Sequence, residues 1–114
     1  DLEERGMLDD TLIMCLTEHG RTPKISNTPR GVGREHWSDV YCNLLAGGGI
    51  SRGKVVGSSD RNGGFVKDDP VSPKDVLATM YHLMGVDPHT TLRNLVGQPL
   101  PLVSGGKVLT QMIG

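Results

Sequence analysis

Two histidines and a glutamate lie close together in an irregular stretch of the chain, residues 17–37. Glu18 and His19 follow directly after an apolar run, and His36 comes 17 residues after His19, with glycines and prolines in between. Carboxylate oxygen and imidazole nitrogen together suit zinc or manganese, and histidine adds the nitrogen donor that calcium sites rarely use. Residue types and spacing therefore make Glu18, His19 and His36 candidate ligands of divalent metal ions.

Arg21 and Arg34 lie in the same stretch and are candidate anion-binding residues. The guanidinium group is a planar fork of donors that matches the oxygens of a sulfate or phosphate group. The alternative is a solvated polar loop in which Glu18 forms a salt bridge with Arg21 or Arg34, and spacing alone does not decide between the two. For Trp37, packing of the loop against the domain is the favoured interpretation.

Two apolar runs predict the strands that position these residues. Residues 11–17 (TLIMCLT) form a near-continuous apolar run bounded by turn residues, and residues 40–46 (VYCNLLA) form another. Such runs are typical of strands buried on both faces, in a sheet that helices cover. In open α/β sheets, ligands bind at the carboxyl ends of strands. Glu18 and His19 stand at such an end, so the predicted sheet would place them in a site.

Residues 73–84 are predicted to form a helix that packs on this sheet. Ser72 is a favourable N-cap, a proline occupies the first helical position, and Gly85 follows the last turn. The predicted apolar face consists of Val76, Leu77, Met80, Leu83 and Met84. On the same helix His82 is expected to be partly buried, whereas His89, in the following loop, is expected to be solvated.

The region between the second apolar run and the helix is rich in glycine and polar residues. Residues 47–49 are three consecutive glycines, but the Gly-Lys-Ser/Thr ending of a phosphate-binding P-loop does not follow them, which favours an ordinary loop. Residues 54–56 are predicted to form a short strand. The Asn62-Gly63 pair predicts the turn of a hairpin or an exposed flap.

Composition and charge limit the partners of the chain. The 114 residues carry a net charge of -1 with interspersed signs, so no nucleic-acid partner is expected. No segment approaches the roughly 20 apolar residues that a membrane-spanning helix needs. Cys15 and Cys42 lie in the two apolar runs without a CxxC pattern, which favours buried thiols over a disulfide. Localisation stays open: the protein is periplasmic or secreted if an export signal lies upstream.

Four segments resemble successive motifs of a single family. They are LDDTLIMCLTEHGRTPKI (8–25), GREHW (33–37), LAGGGISRGKVVGSSD (45–60) and VSPKDVLATMYHLMGVDP (71–88), and together they span nearly the whole chain. The family is the bacterial sulfatase-like family of unknown function numbered fifteen hundred and one, a branch of the alkaline phosphatase superfamily. The resemblance implies an α/β fold, the C-terminal portion of an alkaline-phosphatase-like sandwich with a central mixed sheet flanked by helices.

The resemblance also implies roles for the candidate residues. Glu18 and His19 stand where the superfamily has an Asp-His or Asp-Asn pair that holds one metal, and His36 stands where a later histidine holds a second. Glutamate in place of aspartate, and histidine where many relatives in this branch carry an aromatic residue, leave the metal open among zinc, manganese and calcium. Arg21 and Arg34 would bind the anionic oxygens of the substrate or brace the site.

The same resemblance implies that the chain is incomplete. The nucleophile and the first aspartate ligands of the superfamily come from the N-terminal half of the domain, and no residue here fills those roles. Residues 1–114 are therefore expected to be the C-terminal fragment of one domain, inactive alone and prone to self-association through exposed strand edges. The expected function of the complete protein is metal-dependent hydrolysis of sulfate or phosphate esters. The alternatives are a non-catalytic module that binds an anion or an anionic glycan, and a structural member of the same fold.

Overall fold

The computed structural model describes residues 1–114 and contains one α-helix, one 3₁₀ turn and ten short strands. The helix is α1 (Pro73–Leu83) and the 3₁₀ turn is Thr110–Met112. The strands form five separate antiparallel pairs: β1 (Ile13–Cys15) with β6 (Leu44–Ala46), β2 (Gly20–Arg21) with β5 (His36–Trp37), β3 (Ser26–Thr28) with β4 (Gly31–Gly33), β7 (Ser58–Ser59) with β8 (Val66–Asp68), and β9 (Thr91–Arg93) with β10 (Pro99–Pro101).

The two apolar runs pair with each other, but they are not inner strands. β1 and β6 are antiparallel, with Met14 opposite Leu45, and each has three residues where seven were predicted. No third strand joins the pair, and its residues are half-buried or exposed. That both runs contribute strands to one sheet agrees with the prediction, whereas the prediction that they are inner strands buried on both faces was wrong. Cys15 and Cys42 are likewise exposed free thiols, so the prediction of buried thiols was wrong.

Residues 20–37 form a two-stranded arm built from two consecutive strand pairs. At its base, β2 lies beside β5 with Arg21 opposite His36, and farther out β3 lies beside β4 with Thr28 opposite Gly31. The backbone N–H of Thr22 donates to the carbonyl of Glu35 at 3.0 Å and connects the two pairs. Pro-Arg at residues 29–30 forms the turn at the tip, which is a favourable composition for a turn.

The polar excursion after residue 57 is a hairpin, as the Asn-Gly pair indicated. β7 and β8 pair across it, and the Asp60 carboxylate accepts hydrogen bonds from the backbone N–H groups of Asn62 and Gly64 at 3.2 and 2.7 Å. An aspartate that satisfies the backbone two residues on is the usual stabiliser of such a turn. The strand predicted at residues 54–56 does not form, and that segment has no regular structure.

The helix forms where the sequence predicted it, because all its signals are local. Ser72 and Asp75 make a reciprocal capping box: the Ser72 hydroxyl accepts from the Asp75 N–H at 3.2 Å, and the Asp75 carboxylate accepts from the Ser72 N–H at 2.8 Å. Gly85, at a φ of +75°, follows the last turn. His82 is exposed, so the expectation that it is partly buried was wrong, whereas His89 is exposed as expected.

The face that α1 buries differs from the predicted one. Val76, Ala78 and Thr79 are buried, whereas Leu77 and Met84 are 37% and 64% exposed. The contacts of this face come from the C-terminal segment, residues 103–109, and not from the β1–β6 pair. The reason is that two backbone N–H groups of that segment, those of residues 107 and 109, donate to polar groups of the first helical turns.

Thr79 and Asp75 hold the C-terminal segment against the helix. Thr79 is fully buried; its hydroxyl donates to the carbonyl of Asp75 at 2.7 Å and accepts from the N–H of Leu109 at 2.9 Å. The Asp75 carboxylate accepts from the N–H of Lys107 at 2.8 Å. Gly106 allows this close approach, since a Cβ there would collide with the carbonyl oxygen of Lys74. This clamp is the best-buried polar contact of the chain.

The predicted sandwich with a central mixed sheet flanked by helices is therefore wrong for these residues. The strands have two or three residues each, they form five isolated pairs, all antiparallel, and a single 11-residue helix is present. One helix of this length cannot cover both faces of a large sheet, and the glycine-rich connections interrupt the chain before longer strands form. The fold of residues 1–114 is a set of small antiparallel hairpins with one helix.

The chain is extended and leaves much apolar surface in solvent. Its radius of gyration is 17.7 Å, against about 13 Å for a compact domain of this length. Its accessible surface is 8591 Å², against about 6100 Å² for a folded monomer of this mass. Nine residues are buried, whereas large apolar side chains such as Val55 (90%) and Val32 (74%) are exposed. The internal core is thus too small to bury the apolar side chains that the sequence provides.

None of the helices combines the length and the apolar character that crossing a membrane requires.

Candidate functional site

The base of the arm brings two of the candidate metal ligands together. Because β2 pairs with β5, His36 lies opposite Arg21. His19 directly precedes β2 and therefore lies next to His36. The imidazole rings of His19 and His36 stack with their centroids 5.0 Å apart and their planes 16° from parallel. The residues are 17 positions apart in sequence, and the hairpin closes that distance as a strand pair.

A glycine and a serine fix His19 in this position. Gly20 follows it, and a Cβ at that residue would collide with the carbonyl oxygen of Val40, so only glycine lets the segment after β5 approach so closely. That approach places the Ser38 hydroxyl 3.1 Å from Nδ1 of His19. A hydrogen bond at one ring nitrogen orients an imidazole and leaves the other, here Nε2, free to bind.

Trp37 anchors the base of the arm to the β7–β8 hairpin. Its indole Nε1 donates to the carbonyl of Gly64 at 2.6 Å, and its ring meets Phe65 edge-on with centroids 6.0 Å apart. Edge-on aromatic pairs and a satisfied indole N–H are the usual way in which tryptophan stabilises a packed contact. The interpretation of Trp37 as a packing residue agrees with this geometry. Since His36 is its neighbour on β5, the anchor also holds His36 in place.

The Glu18 carboxylate does not form a three-ligand group with the two imidazoles. It is exposed, and no group of three or more histidine, cysteine, aspartate or glutamate side chains anywhere in the chain is close enough together to hold a metal ion. The structure thus brings together His19 and His36, and it does not add Glu18 to them as a third ligand. Because an imidazole binds a metal in the plane of its ring, two stacked and nearly parallel rings do not point at one ion.

Arg21 and Arg34 lie next to each other beside the histidine pair. Nη1 of Arg21 donates to the backbone carbonyl of Arg34 at 3.2 Å, and both side chains are exposed. Neither arginine forms a salt bridge, so the alternative in which one of them pairs with Glu18 does not occur. Both guanidinium groups keep donors free for an anion.

Both arginines line a large cleft, which has a volume of about 1360 Å³. The cleft runs from the base of the arm along the loop after β5 to the start of α1, and it includes Tyr41, Lys54 and Ser72. Its volume exceeds the range of about 300–1000 Å³ that is usual for small-molecule pockets, so it is roomy enough for a polymer or for another protein segment.

The comparison with protein families shows to which family the chain belongs. The model of the family described as "Protein of unknown function (DUF1501)" matches residues 1–113. The chain belongs to the DUF1501 family. No curated protein and no solved structure matches the chain. The description of DUF1501 carries no activity and no superfamily, so the relation to alkaline phosphatase that the motifs suggest is a proposal.

Two features of this DUF1501 site were not predicted from its sequence. Ser38 approaches His19 only because of the close contact at Gly20, and no motif signals that contact. Lys24 and Arg30 extend the positive charge of Arg21 and Arg34 along the arm. The signal was present in the sequence, because residues 20–34 contain no acidic residue, but averaging the charge over the whole chain concealed it.

Proposed function

We propose that this chain is part of a metal-dependent hydrolase that acts on sulfate or phosphate esters. The observation that carries the proposal is the stacked pair of His19 and His36 beside two arginines that form no salt bridge and that line a large cleft. Nitrogen donors for a metal and guanidinium groups for an oxyanion both serve the cleavage of such an ester, because they stabilise the negative charge that develops on its oxygens. The motif resemblance to sulfatase-like proteins points to the same chemistry.

The donor set fits part of a metal site. His19, with Nδ1 bonded to Ser38, would supply a nitrogen ligand to one ion and His36 to a second, and such ligands suit zinc or manganese better than calcium. Glu18 would join His19 after a change of side-chain rotamer, and the remaining ligands would come from outside residues 1–114. When bound, the metal supplies a Lewis acid for the ester oxygens.

The two arginines have a separate role in the proposal. Arg21 and Arg34 would hold the non-bridging oxygens of the sulfate or phosphate group, because their donors are not used by any carboxylate of the chain. The hydrogen bond from Arg21 to the Arg34 carbonyl holds the first guanidinium beside the neighbouring strand segment. The arginines thus position the ester and stabilise its charge, while the nucleophile comes from another part of the protein.

The surface of the chain supports its being a fragment of a larger domain. The chain exposes about 2500 Å² more accessible surface than a compact monomer of this mass would. A standard interface buries about 800 Å² on each partner, so the excess is on the scale of a domain interior and not of a transient contact. We infer that further polypeptide of the same protein covers the exposed side chains, completes the metal site and provides the nucleophile.

Metal content and turnover in the complete protein test the proposal. His19→Ala and His36→Ala each remove a direct ligand, so metal affinity should fall by more than the roughly 10- to 100-fold that loss of an indirect partner typically costs. Hydrolysis of aryl sulfate and aryl phosphate esters should fall with it. Elemental analysis after purification without chelator gives the first quantity, and release of the aryl alcohol gives the second.

The other two histidines provide the matched control. His82 and His89 are exposed and lie away from the arm, so His82→Ala and His89→Ala should leave metal content and turnover unchanged. If all four variants keep full metal and full activity, the His19–His36 pair is not a metal site. An equal loss in all four would indicate a general effect on folding and would also contradict the proposal.

A second candidate function is a non-catalytic module that binds an anion or an anionic glycan. The observation in its favour is that no three metal-binding side chains come together, whereas the two arginines are free. Calorimetric binding of sulfated oligosaccharides to the complete protein, with no bound metal and no turnover of esters, would favour this candidate over the hydrolase.

A further inference from the structure

The positive charge of the chain is concentrated in the arm. The arm, residues 20–37, contains four of the twelve Lys and Arg residues and one of the thirteen Asp and Glu residues, Glu35, so it carries a formal charge of +3 while the remainder carries -4. All four cations (Arg21, Lys24, Arg30 and Arg34) are exposed, and none of them forms a salt bridge. Unpaired charge of one sign on a projecting element creates a local field that attracts ligands of the opposite sign.

The four cations are spread along the length of the arm. Arg21 and Arg34 lie at the base, joined by a hydrogen bond, Arg30 lies in the turn at the tip, and Lys24 lies between. Arg30 lies nine positions after Arg21 in the sequence, so at about 3.3 Å per residue of strand the two arginines are up to roughly 30 Å apart. One sulfate or phosphate group therefore cannot contact the base and the tip at once. The arrangement matches a ligand that carries anionic groups at intervals.

We propose that the arm is the binding surface for an extended anionic glycan, one whose sulfate or phosphate groups contact Arg30 and Lys24 while another reaches Arg21 and Arg34. The inference rests on the proposed function in one respect: the group at the base of the arm is the ester to be cleaved. Binding along the arm requires no metal and no nucleophile. The complete enzyme would thus capture a polymer more tightly than a small ester.

A glycan fits the arm better than a nucleic acid. Residues 20–35 of the arm contain no aromatic side chain, and Trp37 at its base is engaged with Phe65 and Gly64, so neither offers a surface on which bases could stack. The whole chain has a pI of about 6.4, whereas nucleic-acid-binding domains are usually basic overall. Ser26 and Asn27 on β3 offer a hydroxyl and an amide that form no hydrogen bond within the protein, and such neutral groups suit sugar hydroxyls.

Binding of dextran sulfate to the complete protein, with EDTA present, tests the inference separately from hydrolysis. The variant is Lys24→Ala/Arg30→Ala, which leaves intact the proposed metal ligands and the two arginines at the base, Arg21 and Arg34. Affinity should fall by roughly 5-fold for each cation removed at low ionic strength. The slope of log affinity against log salt should become shallower by about one for each cation. The control is Arg61→Ala/Lys74→Ala, which removes two exposed cations outside the arm and should change neither quantity.

Three other outcomes overturn the inference, each in a distinct way. Equal losses in the variant and the control would show charge attraction without a site. Single-stranded or duplex DNA that binds more tightly than dextran sulfate, with the same dependence on Lys24 and Arg30, would identify a nucleic acid as the partner. If sulfated disaccharides bind as tightly as long chains, the ligand is not extended. A variant that loses dextran sulfate affinity but still hydrolyses aryl sulfates supports both the arm and the proposed function.

Discussion

Replacing Thr79 with valine should release the C-terminal segment from the helix. The Thr79 hydroxyl is the acceptor for the N–H of Leu109 at 2.9 Å, and Thr79 is fully buried while Leu109 is 7% exposed. Valine has nearly the same shape and the same branching at Cβ, so the packing and the helix propensity change little. The change therefore removes the hydroxyl alone: the Leu109 N–H is left buried without an acceptor, and the Asp75 carbonyl loses the Thr79 hydroxyl as a donor.

The expected cost follows from that unsatisfied donor. Leaving a buried polar group without its partner costs about 1–3 kcal/mol. Since every 1.4 kcal/mol is a factor of ten, amides of residues 107–112 should exchange with deuterium about 5- to 150-fold faster in Thr79→Val. Hydrogen exchange is the suitable assay, because it measures local opening whatever the stability of the rest of the protein. Single-residue resolution should show the largest change at Leu109.

Thr79→Ser separates the hydroxyl from the methyl group. Serine keeps the acceptor and loses one methyl, worth about 0.8 kcal/mol, so exchange should accelerate only about fourfold and evenly over the neighbouring amides. If serine and valine accelerate exchange at Leu109 equally, the hydrogen bond contributes nothing. If valine has no effect, the clamp between α1 and the C-terminal segment does not determine the opening of that segment.

Two further predictions concern the acid side of the clamp and the exposed surface. Burial raises the pKa of Asp75, but hydrogen bonds from the Ser72 and Lys107 N–H groups and from the Ser72 hydroxyl outweigh it and hold the pKa below its ordinary 3.8. The stabilisation that the Asp75 carboxylate provides is therefore complete above about pH 4 and is lost as the pH falls further. The protection of residues 107–112 against hydrogen exchange should decrease from pH 7 to pH 3. The decrease should be smaller in Asp75→Asn. Residues 1–114 expressed alone should self-associate in sedimentation and bind a hydrophobic dye, because their apolar surface is uncovered; a monomer with cooperative thermal unfolding would contradict the fragment proposal.

The sequence predicted those parts of the fold whose causes are local. The helix at 73–83 depends on Ser72, Asp75 and Gly85, all within or next to it, and it forms as predicted. The hairpin after residue 57 depends on its Asn-Gly turn and forms as well. A cap or a turn has the same partners in any fold, so reading it requires no knowledge of the tertiary structure.

Predictions about the surroundings of an apolar run failed for a physical reason. The run at 11–17 indicates that its side chains avoid water, but it does not indicate which layers cover them. Within residues 1–114 only β6 pairs with it, so the strand remains half-exposed and the predicted central sheet does not form. The apolar face of α1 shifted for the same reason. The clamp at Thr79 selected Val76 and Ala78 as buried neighbours, and Leu77 faces solvent.

The candidate site lies between these two cases, since its local geometry depends on one strand pair. Grouping Glu18, His19 and His36 by residue type did not specify the pairing of Arg21 with His36, which is what brings the imidazoles to 5.0 Å. The contact of Ser38 with His19 requires the missing Cβ of Gly20, a feature that no charge or spacing argument contains. Residue types can indicate a chemistry, whereas the geometry of two ligands requires the register of the strands that carry them.

The shape of the arm also explains how binding and cleavage could be separate properties of one element. The tip cations and the base arginines are far enough apart that an anion held at the tip leaves the base free. A polymer held at the tip by one group would keep its next group at a high local concentration beside Arg21 and Arg34, an intramolecular advantage that a small ester lacks. Substitutions at the tip should therefore weaken capture of a polymer and leave turnover of a small ester intact, whereas substitutions at His19 or His36 should abolish both polymer and small-ester cleavage without affecting capture.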